Sequence, residues 1–179
     1  TPRISVTISR QTGSGATEVA AKLAACLEAR EPRGACPWTV FDKNLMEQVL
    51  EDHHLPKRIA EFLPEDRTSA IKDAIEELLG LHPSASTVVY QTAETILHLV
   101  ELGHVILIGR GASAIVGRMP LVGHVRLVAS WESRLARGLE RRRLGARQAA
   151  AFIKRDDEGR ARYLRRYSGD PFQQLLQLT

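Results

Sequence analysis

Ile4-Ser-Val-Thr-Ile-Ser-Arg-Gln-Thr-Gly-Ser-Gly-Ala-Thr-Glu18 reads as a strand, a glycine turn and the start of a helix. Ile4, Val6 and Ile8 alternate with Ser5, Thr7 and Ser9, the period-2 pattern of a short β-strand. Gly13 and Gly15 admit a tight turn in which backbone N–H groups come close to an anion. From Gly15 the pattern becomes helical, with Val19, Leu23 and Leu27 at i, i+4, i+8. The first N–H groups of a helix have no intrahelical acceptor and carry partial positive charge, so phosphate is their natural ligand. Aligning G-x-x-x-x-G-K-[ST] with its second glycine on Gly15 puts Arg10 at the first glycine, Ala16 at the lysine and Thr17 at the hydroxyl position. The loop lysine, which supplies a point charge to the β- and γ-phosphates, is therefore missing. Arg10 before the turn and Lys22 two helical turns in are the nearest replacement cations. On this segment alone, a phosphate loop and a plain strand-to-helix turn both stay open.

The 179 residues suffice for one domain with a sizeable core and are too few to expect two. The apolar share of 44% and charged share of 26% fit a soluble globular protein. No apolar run has the length of a membrane span, and the opening residues do not read as a signal peptide. The chain opens at Thr1 rather than Met, so further residues are expected ahead of it. Cys26 and Cys36 make no disulfide framework or metal-ligand spacing, which points to a reduced, cytoplasmic setting. Cys26 is expected in the core of the helix after the glycine turn.

The formal charge of +4 is unevenly placed. Between Ser130 and Tyr167 twelve arginines and lysines face five acids, so the rest of the chain is net acidic. Arginine favours planar, bidentate contact with phosphate, and the segment reads as a surface for a polyanion, nucleotide or nucleic acid. Few aromatic residues interleave with the arginines, so nucleic acid is the least favoured partner.

Further strands are expected at Trp38–Phe41, Val105–Ile108 and Val125–Ala129, with a possible fifth at Gln173–Leu178. Helices are expected from about Asn44 to Glu51, in pieces from Pro56 to Leu81, and from Ser84 or Ser86 to Gly103. In the last of these Val89, Ala93, Ile96, Leu97 and Val100 form an apolar stripe. An arginine-rich helical region begins at a Ser130 N-cap, with Gly145 and Gly169 as breaks. Strands alternating with helices imply an α/β domain with a mostly parallel sheet, whose ligands bind at the carboxyl ends of the strands. Ser9-Arg10, Asp42-Lys43, Gly109-Arg110-Gly111 and Ser130 all fall at such ends.

Five blocks in this order carry a family resemblance. They are Ile8-Ser-Arg-Gln-Thr-Gly-Ser-Gly15, Phe41-Asp-Lys43, Val105-Ile-Leu-Ile-Gly-Arg-Gly-Ala112, Ala129-Ser-Trp-Glu-Ser-Arg134 and Asp157-Glu-Gly-Arg-Ala-Arg-Tyr163. Over most of its length the chain resembles the cytidylate kinase-like proteins of the phosphate-loop nucleoside monophosphate kinase group. A loop without its lysine is a habit of that subfamily, whereas Thr17 stands where an arginine is usual. The resemblance implies a three-layer phosphate-loop NTPase fold with a parallel five-stranded sheet and a mobile arginine-rich helical lid at about 143–167, all in one domain spanning 1–179. It implies ATP with Mg²⁺ as cofactor and CMP or dCMP as acceptor. ATP phosphates would lie over Gly13, Ser14, Gly15, Ala16 and Thr17, with the Thr17 hydroxyl as the Mg²⁺ contact. Asp42, Lys43, Arg110 and Gly111 would form the monophosphate pocket. Arg134, Arg155, Arg160 and Arg162, together with Arg10, would be the catalytic cations, since phosphoryl transfer is mostly positioning and charge neutralisation. Gly111 and Gly159 stand where the true kinases carry cytosine-reading aspartates, so discrimination for cytosine is expected to be weak. The expected activity is ATP-dependent phosphoryl transfer to a nucleoside monophosphate; the alternative is a catalytically weak or inactive nucleotide-binding regulator of the same fold.

Overall fold

The computed structural model describes residues 4–32, 36–42, 85–109, 111–142 and 145–167. Its elements are β1 (Ser5–Arg10), α1 (Ala16–Glu28), β2 (Thr39–Phe41), α2 (Ala85–Leu102), β3 (Val105–Ile108), α3 (Ala112–Ile115), β4 (Val122–Leu127), α4 (Trp131–Arg142) and α5 (Ala146–Tyr167). The four strands are ordered β2-β3-β1-β4, and every pairing is parallel. The sequence expectation was five strands; the described residues form four, and Gln173–Leu178 lies outside them. The helices expected between Asn44 and Leu81 also lie outside the described residues.

β3 is apolar throughout because both of its faces are covered. Val105 and Leu107 pack with Ile96 and Val100 of α2 and with Ile115 of α3. Ile106 and Ile108 pack on the opposite side with Ile8, Ala20, Ala24 and Trp38. The sheet is thus sandwiched between α1 on one face and α2 with α3 on the other. Gly103 closes α2 in a left-handed conformation with φ 75°, as its position after the apolar stripe predicted.

The alternation in β1 does form a strand, and its Ser5 and Thr7 are both buried. A central parallel strand has no solvent face, so their hydroxyls are used inside: Ser5 Oγ donates to the Val100 carbonyl at 3.2 Å, and Thr7 Oγ1 lies 2.7 Å from His124 Nδ1. Three sequence expectations change. The buried stripe of α1 is Ala20 and Ala24, flanked by Leu23 and Leu27, while Val19 is exposed. Small alanines let the helix approach the sheet closely, so the face turns by about one residue from the expected one. That rotation also leaves Cys26 exposed rather than in the core. Finally, β4 starts and ends earlier than expected, because its register is set by pairing from Ser5↔Val122 to Arg10↔Leu127.

Since all four strands run the same way, their carboxyl ends share one edge. Arg10, Asp42, Gly109 and Ala129 are thereby gathered from distant parts of the chain.

Candidate functional site

The turn between β1 and α1 has Gly13 at φ 78° and Gly15 at φ 81°, the left-handed region that glycine enters without a Cβ penalty. Gly15 is the N-cap of α1 and provides no side-chain cap, so the N–H groups of the first turn are not closed by a capping side chain. The turn is anchored at its start by Gln11, whose N–H donates to Leu127 O at 3.0 Å and whose Oε1 accepts from Ala129 N at 3.1 Å.

Helices α4 and α5 hold the rest of the loop. Ser130 caps α4, its Oγ accepting from Ser133 N at 3.3 Å. That cap fixes the first turn, and Arg134, one turn in, is buried against the loop. Arg134 Nε donates to Thr12 O at 2.7 Å, its Nη2 pairs with Asp157, and its guanidinium lies 5.7 Å from the centre of the Trp131 ring. One turn further, Arg137 Nη1 donates to Gly13 O at 3.1 Å. Gly13 sits so close to α4 that a Cβ there would lie 2.7 Å from Arg134 O.

From α5 come two carboxylates and a guanidinium. Asp157 Oδ1 accepts the Thr12 N–H at 2.8 Å. The Thr12 hydroxyl lies 2.7 Å from Asp156 Oδ2 and 2.8 Å from Asp157 Oδ1, and it accepts from Arg160. Arg160 also pairs with both carboxylates. Burial pushes the Asp157 carboxyl up, but the Thr12 N–H, the Thr12 hydroxyl and Arg160 outweigh it and hold it below the ordinary value of 3.8. A carboxylate depressed on folding contributes stability that is present above 3.8 and fades as pH falls below it. Urea unfolding of the protein and of Asp157→Asn should therefore differ most at neutral pH. The gap should shrink as pH drops below 3.8; a gap that stays constant well below that value would show that the charge of Asp157 contributes nothing.

Among the described residues, two cavities meet the loop. One, of about 220 Å³, reaches it at Arg10 and Gln11 and is also lined by Gly109, Gly111, Arg126, Arg160 and Tyr163. The other, of about 330 Å³, reaches it at Ser14 and Gly15 and is lined by Glu18, Lys22, Arg137 and Glu140. Arg10 belongs to the first, with its guanidinium 3.9 Å from Asp42 and packed where a Cβ on Gly109 would collide with it. Lys22 belongs to the second. The two candidate replacements for the missing lysine thus lie at different ends of the loop.

Of the arginines expected at the site, the structure brings Arg10, Arg134 and Arg160 together and leaves Arg155 and Arg162 exposed on α5. Thr17 is exposed in the first turn of α1. Gly111 lines the first cavity and caps α3 at φ 73°. Lys43 and Arg110 lie outside the described residues. Sequence reading missed Thr12, Arg137 and Arg126. Arg137 was findable, three residues after Arg134 and hence on the same helix face.

A family model described as "Cytidylate kinase-like family" matches residues 5–175. No curated protein matches the chain. Among solved structures, an uncharacterized protein from Eubacterium ventriosum superposes with TM-score 0.63 and 18% identity, over 92% of this chain and 77% of that one. The TT1252 protein from Thermus thermophilus gives 0.50 and 17%, over 99% and 96%. Shikimate kinase from Bacteroides thetaiotaomicron gives 0.52 and 13%, over 98% and 97%. At such identities these neighbours establish a shared α/β fold. No helix among the described residues is long and apolar enough to cross a membrane.

Proposed function

This chain belongs to the cytidylate kinase-like family, and on that premise we propose that it transfers the γ-phosphoryl group of ATP to a nucleoside monophosphate. The observation that carries this reading is one glycine loop meeting two cavities, with cations in both and two guanidiniums at the loop between them. A phosphotransferase needs that division into donor, acceptor and transfer point.

The donor phosphates lie over Gly13–Thr17, where the left-handed Gly15 leaves the N–H groups of α1 without a side-chain cap. Lys22 and Arg137 line the adjoining cavity and supply charge that Ala16 lacks. Thr17, exposed in the first helical turn, would hold the Mg²⁺ that comes with ATP, and that ion would neutralise phosphate charge. The acceptor takes the cavity lined by Arg10, Gly109, Gly111 and Arg126, with Asp42 orienting Arg10. Arg134 and Arg160 stabilise the charge that spreads over the transferring group. Helix α5, within the lid expected at about 143–167, acts as the lid, with Arg155 and Arg162 as its outer cations.

The test is ADP release measured with ATP against CMP, dCMP, UMP, AMP and GMP in turn. Acceptor-dependent release is expected, with kcat/KM for CMP within about a hundredfold of the others, because Gly111 and Gly159 provide no carboxylate to read the base. A larger preference would mean that other residues read cytosine. If ATP raises the melting temperature but no acceptor releases ADP, the protein is a nucleotide-binding regulator without turnover, a reading favoured by Ala16 in the loop. If ATP leaves the melting temperature unchanged and no ADP forms, both readings fail.

A further inference from the structure

The main-chain N–H of a glycine loop ordinarily faces a phosphate, yet that of Thr12 is taken by the chain's own Asp157 carboxylate at 2.8 Å. The same carboxylate receives the guanidiniums of Arg134 and Arg160, and the Thr12 hydroxyl lies 2.8 Å from it. One amide, one hydroxyl and two guanidiniums converging on one acceptor form a complete donor set for a phosphoryl group. This set is separate from the N–H groups at the start of α1. It sits at the acceptor side of the loop, because Asp157 and Arg160 also line the cavity that holds Arg10 and Arg126.

The charges show what must happen when a ligand arrives. Asp156 and Asp157 balance Arg134 and Arg160, so the cluster as it stands is neutral. A phosphoryl dianion entering it would place several negative charges against two guanidiniums unless a carboxylate left. Asp156 takes the Thr12 hydroxyl and Arg160, whereas Asp157 takes the loop amide and both guanidiniums, so the departure of Asp157 is the one that frees the whole donor set. The group occupying the phosphoryl position is Asp157.

We infer that Thr12, Arg134 and Arg160 form a phosphoryl-binding site that Asp157 fills with its own carboxylate and vacates when a phosphorylated ligand binds. The inference rests on the phosphotransferase reading and assigns to that site an internal competitor. With Asp157 in place, the two arginines are held off the transfer point until an incoming phosphoryl group exchanges for the carboxylate.

The experiment is calorimetric titration of inorganic phosphate into the wild-type protein, Asp157→Asn and Glu158→Gln. Glu158 is exposed on the same helix and provides the control for a simple loss of negative charge. Asp157→Asn is expected to bind phosphate at least fivefold tighter than wild type while its melting temperature falls, and Glu158→Gln to stay within twofold of wild type. A purely structural role for Asp157 would lower affinity and stability together. Should Asp157→Asn fail to fold, the side-chain carboxyl ¹³C resonance of Asp157 in the wild-type protein decides: saturating phosphate should shift it toward the position of a solvated carboxylate. Equal or weaker phosphate binding by Asp157→Asn, no binding by either protein, an equal gain in Glu158→Gln, or an unmoved resonance at saturation overturns the inference. Failure of the kinase reading is separate, since it appears in the ATP and ADP-release measurements and not in the binding of inorganic phosphate.

Discussion

Arg134→Ala is expected to lower kcat/KM for phosphoryl transfer by about 10²–10³, the usual cost of removing a positioned donor from developing oxyanion charge. The same change should reduce folding stability by about 1.5–3 kcal/mol. Removing one partner of a fully buried ion pair costs about 3–5 kcal/mol, but the Asp157 side chain retains 30% of its exposure, so water recovers part of the loss. Two things fail at once in this variant. The Thr12 carbonyl loses its donor at 2.7 Å, and the Asp157 carboxylate loses one of its guanidiniums. Arg134→Lys keeps the charge but lacks the fork that serves Thr12 O and Asp157 together, so activity should still fall at least tenfold. Urea denaturation and steady-state kinetics on both variants check this. An Arg134→Lys protein with wild-type kcat/KM would show that point charge alone suffices and that the two-pronged geometry is incidental.

Gly13→Ala is expected to destabilise the protein by about 2–4 kcal/mol, and more than Gly15→Ala. Both residues have left-handed backbones, at φ 78° and 81°, so each alanine carries a strain of about 1–2 kcal/mol. They differ in what the new methyl meets. At Gly13 it lies 2.7 Å from Arg134 O and 3.0 Å from Arg134 Cα, main-chain atoms inside helix α4 that cannot turn aside. At Gly15 the nearest atoms are the Arg137 side chain at 3.5 Å, an ordinary contact. The difference between the two variants in urea denaturation therefore measures the close seating of the loop on α4. Equal losses would mean that the helix shifts freely and that the loop is not clamped by it.

The site illustrates how far pattern reading reaches. Gly13 and Gly15 were legible because a strand pattern running into a helix pattern leaves few residues to make the turn, and only glycine enters the left-handed region without strain. The Ser130 cap and the break at Gly145 were legible for the same reason: each is settled by its immediate neighbours. The arginine excess after Ser130 pointed to the part of the chain that packs on the glycine loop, but not to which arginines reach it. Arg134 and Arg160 turn to the loop while Arg155 and Arg162 stay in solvent, although all four share one composition signal. Helical phase relative to a partner decides that, and the partner is about 120 to 150 residues away in sequence. The misplaced stripe of α1 has the same cause, since alanine fits a tightly packed face as well as leucine fits a looser one.

The sequence by itself determined the alternating α/β architecture, the parallel core strand Val105–Ile108, the glycine turn and the clustering of polar residues at strand ends. These follow from local periodicity and from backbone conformations that few residues adopt. Only the tertiary structure decided that Ser5 and Thr7 are core residues, that Arg10 and Lys22 line different cavities, and that Asp157 occupies the amide of Thr12. Each of those depends on a contact between segments far apart in the chain, where a hydroxyl or a carboxylate finds a specific donor or acceptor in a buried setting. Residue type limits the partners such a group accepts, but the packing of α4 and α5 on the loop chooses among them.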